Sequence, residues 1–144
     1  VPQDVQVVGG DAFGGSETKR RIEDFLKQGD DCVYMGWGSM SSRSAQYMTE
    51  FAVRSLKHSG QRGIVLGGYA GLALERLKES NVDDKEAILQ YAKSNRLFVD
   101  QAPHEWLFPR VQATVHHGGC GTTAAALRSG KPSIITPVFF DQWD

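Results

Sequence analysis

Residues 115–144, VHHGGCGTTAAALRSGKPSIITPVFFDQWD, concentrate groups that can bind a polyanion. Gly118, Gly119 and Gly121 let the backbone turn tightly and approach a ligand with no Cβ in the way. Thr122 and Thr123 then open a helix whose free N–H groups and positive dipole end suit a phosphate, with the two hydroxyls as further donors. The purely structural alternative is a tight strand-to-helix turn capped by threonine. His117, at the end of the preceding strand, can donate to a phosphate oxygen. Period-two alternation sends His116 to the opposite face, where it has a structural or supporting role.

Three other loops carry chemistry of the same kind. Ser39, in GWGSMSS, can donate to a phosphate, or it can cap locally. Asp141 and Gln142 form a carboxylate–amide pair suited to neighbouring sugar hydroxyls, or to a capped helix start. The stretch DQAPHEW offers backbone groups and His104 to a flat base, and Trp106 reads better as core than as a stacking surface. A P-loop is excluded, because no lysine follows the last glycine. A dinucleotide fingerprint competes: Gly119-x-Gly121-x-x-Ala124 matches, with Asp141 about 20 residues on. Against it, the match follows the fourth strand rather than the first, and the two histidines have no part in it. No Asp-x-Asp pair offers a divalent metal a carboxylate clamp.

The elements that must position these groups alternate. DCVYMG (31–36), RGIVLGG, RLFVD, ATVHH and PSIITP read as short buried strands. A helix capped by Ser41 or Ser42, with Met48, Phe51, Ala52 and Leu56 on one face, ends near Gly60. Two more are expected near 70–79, with Leu74 and Leu77 buried, and near 84–94, with Ile88, Tyr91 and Ala92 on one face. HEWLFPRV is a single helical turn broken by Pro109, and TTAAALRS is a helix ended by Gly130. Such alternation predicts a parallel sheet covered on both faces, right-handed crossovers and an α/β doubly wound, Rossmann-like order of 3-2-1-4-5. Its ligand crevice lies where strands one and four end, where the loops GWGSMSS and HGGCGTT converge.

Composition agrees with an ordinary globular domain: 144 residues, 40% apolar, 23% charged and a formal net charge of −1. No basic excess points to nucleic acid. No apolar run reaches transmembrane length and no signal-peptide pattern opens the chain. Cys32 and Cys120 form neither a disulfide framework nor a zinc spacing, consistent with reduced thiols and a cytoplasmic setting. Residues 1–30 read as a linker or approach segment, 31–144 as a nucleotide-sugar-binding domain, and both ends as cuts within a larger protein.

VYMGWGSM, APHEWLFPRV and VHHGGCGTTAAALRSGKPSIITPVFFDQ together resemble the C-terminal half of a UDP-glycosyltransferase, in the sterol 3-beta-glucosyltransferase branch. The resemblance implies a GT-B fold of two Rossmann-like domains, the C-terminal one holding the UDP-sugar donor and the N-terminal one the acceptor. By position it implies Ser39 near the diphosphate. It puts Gln101 and Ala102 at the uracil, with His104 just after. His117, Gly119, Gly121, Thr122 and Thr123 fall in the diphosphate loop, and Asp141 and Gln142 on the sugar hydroxyls. Two positions depart from plant small-molecule members, which have a uracil-stacking Trp at Gln101 and a ribose-binding Glu at Ala125. The family's catalytic base is a histidine of the N-terminal domain, so no residue here is assigned that role and the isolated fragment is expected to be inactive. The resemblance implies glucose transfer from UDP-glucose to the 3-hydroxyl of a sterol or similar lipid, without a metal cofactor, by a cytoplasmic protein that contacts membranes peripherally. The alternatives are an NAD(P)-binding oxidoreductase domain and a non-catalytic nucleotide-binding module.

Overall fold

The computed structural model describes residues 10–29, 31–38, 44–68 and 71–137. Five strands form its sheet: β1 (Cys32–Gly36), β2 (Arg62–Leu66), β3 (Arg96–Val99), β4 (Ala113–His116) and β5 (Ser133–Ile135). All neighbours pair in parallel, in the order β3-β2-β1-β4-β5. This is the doubly wound order that the alternation predicts, because each short apolar strand needs a helical crossover before its parallel successor.

Residue alternation distributes the core between two layers. Tyr34, Ile64, Leu97 and Val99 pack with Ile22 and Phe25 of α1 (Ser16–Lys27), Trp106 and Leu107 of α5 (His104–Leu107), and Ala125 and Ala126 of α6 (Cys120–Ser129). On the other face, Met35, Val65 and Val115 pack with Met48, Ala52 and Leu56 of α2 (Ala45–Ser59). Val53 of α2 carries that layer on to Leu77 of α3 (Leu74–Lys78) and to Ile88 and Ala92 of α4 (Lys85–Asn95).

Several elements differ from the expectation. Helix α1 stands inside the stretch read as an approach segment. Its sequence, SETKRRIEDFLK, has apolar residues only at Ile22, Phe25 and Leu26, a stripe too short to register as periodic, yet Ile22 and Phe25 are buried. The cap of α2 is Ser44, which accepts the Tyr47 N–H at 3.2 Å; Ser41 and Ser42 lie outside the described residues. Helix α3 is shorter than expected, and Ala70 is also outside the described residues. Pro109 does not break the turn at α5, which continues as a 3-10 turn, Phe108–Arg110. Helix α6 starts two residues before the threonines, with Gly119 as its cap and no side chain capping it. Gly60 and Gly130 end α2 and α6 as expected. Strand β5 is exposed throughout, so among the described residues it lacks the two-sided cover expected of a parallel strand.

Candidate functional site

The five strands end in line. Val99 pairs with Leu66, Leu66 with Gly36, Gly36 with His116, and His116 with Ile135. The loops after β1 and β4 therefore emerge side by side. They run close together: a methyl group at Gly38 would lie 3.5 Å from Cε1 of His117. Ser39, one residue further on, lies outside the described residues, as do Asp141 and Gln142.

A hydrogen-bonded latch holds this edge together. Trp37, buried at the end of β1, donates its indole N–H to Oγ1 of Thr136 at 2.7 Å. Thr136, just past β5, donates its backbone N–H to the His116 carbonyl at 2.8 Å and its hydroxyl to the same oxygen at 3.3 Å. Neither Trp37 nor Thr136 stood out in the sequence; an aromatic side chain enclosed by Gly36 and Gly38 was the available signal.

The glycines of the β4–α6 turn have three different reasons. Gly118 has φ +91°, a backbone conformation that disfavours any side chain. Gly119 has φ −60° and ψ 145°, open to every residue, but a methyl group there would stand 2.5 Å from Nε2 of His117. The imidazole lies over Gly119, so the space that the sequence reading reserved for a ligand belongs partly to His117. Gly121 faces open space, with nothing within 4 Å of its missing Cβ. The N–H groups of Cys120, Gly121 and Thr122 in the first turn precede the first helical bond, which Thr123 N–H makes to the Gly119 carbonyl at 2.9 Å. Thr122 is half-buried, and Oγ1 of Thr123 is buried with no hydrogen-bond partner among the described residues.

The three histidines at this edge settle differently. His117 is half-buried at the turn. His116 is fully buried and accepts the Gly118 N–H on Nδ1 at 3.1 Å, the structural placement that alternation predicts. His104 is brought across the sheet edge by the β3–α5 loop, where its Nε2 meets the Tyr34 hydroxyl at 3.1 Å and its ring stacks on Phe108 at 4.6 Å. Burial pulls the pKa of His104 below the ordinary histidine value; Glu105 opposes this and His117 adds to it. Burial also drives the Tyr34 phenol well above its ordinary range, so the hydroxyl stays protonated, and the imidazole tautomer sets which of the two groups donates in its hydrogen bond with His104. Tyr34 went unnoticed in the sequence because it reads simply as a strand residue.

Of the remaining candidates, Ala102 is buried, and Gln101 lies with its side chain against Gly14 in the turn before α1. The structure thus gathers His104, His117, Gly119, Gly121, Thr122 and Ala102 at one edge, and turns the Gln101 side chain toward the turn that leads into α1. Trp106 is core, edge-on to Phe13 at 5.0 Å with the Arg110 guanidinium 4.2 Å over its ring. Both cysteines are free; burial pushes the Cys32 thiol up to about 11, and Cys120 is exposed. Among the described residues no cluster of His, Cys, Asp and Glu could hold a metal ion. Among them, too, no helix is long and apolar enough to cross a membrane.

Residues 79–144 match the family described as erythromycin biosynthesis protein CIII-like, C-terminal domain. Over 92% of its length the chain is 39% identical to a sterol 3-beta-glucosyltransferase of Arabidopsis thaliana, of which it spans 18%. It is 38% identical over 89% of its length to the sterol 3-beta-glucosyltransferase of Saccharomyces cerevisiae, of which it spans 10%. Among solved structures, a UDP-glucose:anthocyanidin 3-O-glucosyltransferase in complex with UDP superposes on 83% of the chain with a TM-score of 0.62 and 18% identity, covering 25% of that protein. A UDP-glucosyltransferase from Polygonum tinctorium superposes on 85% with a TM-score of 0.63 and 20% identity, covering 27% of that protein.

Proposed function

We propose, from the premise that this chain belongs to the UDP-glycosyltransferases of GT-B fold, in their sterol 3-beta-glucosyltransferase branch, that it is the donor-binding part of an inverting glucosyltransferase. One observation carries the reading: the β1 and β4 loops meet where His117 overlies Gly119, at the N-terminus of α6. A helix end carries about half a positive charge, and free amides, an imidazole and hydroxyls there suit a diphosphate. Asp141 and Gln142 are assigned the hexose hydroxyls, the 101–104 loop the uracil and Ser39 the diphosphate.

In this reading an acceptor hydroxyl, deprotonated by a base elsewhere in the whole protein, attacks the anomeric carbon of UDP-glucose from the face opposite UDP. The bond from that carbon to the diphosphate breaks, its electron pair leaves with UDP, and configuration inverts. This chain stabilises the departing charge through His117 and the α6 amides, with no metal assigned a part. A sterol or similar lipid is the proposed acceptor, reached by peripheral membrane contact of a cytoplasmic protein. The dinucleotide reading gains nothing from the fold, because its glycine match follows β4.

His117→Ala in the full-length protein tests the reading. Loss of one such donor is expected to remove on the order of 2–4 kcal/mol of transition-state stabilisation and to weaken UDP binding. Calorimetric titration with UDP and NAD, together with glucosyl transfer to a sterol, measures both effects. Unchanged UDP affinity and turnover would retire the role of His117, and binding of NAD in preference to UDP would retire the donor assignment.

A further inference from the structure

We propose that His116 is a positioning residue for the diphosphate loop: its Nδ1, locked as an acceptor for the Gly118 N–H, sets the turn that aims α6 and His117 at the crevice. The inference rests on the reading of that crevice as a diphosphate site.

The main chain of His116 is clamped on both sides. It pairs with Gly36 of β1 and Ile135 of β5, and its carbonyl takes two hydrogen bonds from Thr136. The fully buried ring then reaches forward two residues to Gly118. Gly118 holds a positive φ, and its N–H has left the strand ladder, so it needs a partner of its own. The next residue, Gly119, is the cap of α6 and the floor beneath the His117 ring. The direction of the free α6 amides is thereby tied to the sheet through one imidazole nitrogen.

The bond also assigns a tautomer. A nitrogen that accepts the Gly118 N–H carries no proton, so the neutral ring is protonated on Nε2, an atom buried without a partner among the described residues. An imidazolium would set two N–H groups against each other. Burial, then the nearby His117 and His104, lowers the pKa of His116 and keeps the ring neutral.

Two substitutions of similar polarity separate this role from bulk filling. In His116→Asn, the side-chain oxygen takes the place of Nδ1. In His116→Gln, the polar atoms fall at the distance of Nε2. In the full-length protein, His116→Asn is expected to hold the Kd for UDP within about threefold of wild type, while His116→Gln and His116→Leu raise it about tenfold or more at a retained thermal unfolding transition. Hydrogen exchange of the peptide spanning Gly118 should follow the same order, slow in wild type and His116→Asn and faster in His116→Gln. The proposal is overturned if His116→Gln binds UDP as wild type does, or if His116→Asn loses as much as His116→Gln while folded. If His116→Leu fails to fold, the Asn–Gln pair decides. Wild type that shows no UDP binding defeats the donor reading and the ligand half of this proposal, and the exchange order then decides the acceptor bond alone.

Discussion

A methyl group at Gly119 would collide with the His117 imidazole while its backbone stayed in a conformation open to any residue. Gly119→Ala therefore isolates one variable, the seat of the ring. The expected outcome is UDP affinity weakened about tenfold with little change in thermal stability, read by calorimetry and a melting curve on the same sample. Equal affinity would show that the ring need not stay over the turn. Gly36 follows the same logic in the strand, where a methyl group would stand 2.3 Å from the Tyr34 hydroxyl that holds His104. That these positions are glycine is plain in the sequence, but the reason is not. The colliding groups at Gly36 and Gly119 lie two residues back and point by way of the fold, whereas Gly118 answers to backbone geometry.

At the scale of elements, the Trp37–Thr136 bond joins the end of β1 to the chain just past β5, across β4. Thr136→Val keeps the shape and removes the acceptor, leaving a buried indole N–H unpaired. That should cost about 1–3 kcal/mol and lower the melting temperature, while Thr136→Ser retains most of the stability. A melting temperature equal to wild type in Thr136→Val would mean the latch is not needed. Helix α1 teaches the complementary lesson. Nine of its twelve residues are polar or charged, so composition conceals it, but Ile22 and Phe25 fall on one side and find Phe13 and the sheet. Burial of each such side chain is worth roughly 1.5–3 kcal/mol, enough to hold a helix that propensity alone would not reveal.

At the scale of the molecule, a buried histidine and a half-buried one couple stability to pH. Burial is the first cause that holds both His104 and His116 below the ordinary value of 6.5. The unfolded chain binds protons there that the native state refuses. Stability is therefore complete above the unfolded value, declines as pH falls from about 6.5 toward the lower native values, and levels off beneath them. Melting temperatures recorded from about pH 7.5 to 5 should fall, and the fall should be shallower in His104→Gln. A flat profile would mean that neither ring is kept neutral.

The sequence by itself determined the strand order, the edge at which the loops converge and the residues of the β4–α6 turn. Those follow from local signals: short apolar runs, glycine punctuation and the handedness of crossovers act within a few residues or constrain whole topologies. Only the tertiary structure decided that His104 bonds to Tyr34, that Gly119 makes room for His117, and that Thr136 closes the latch. Each of these depends on two groups meeting through space, at separations or in orientations that spacing along the chain does not encode.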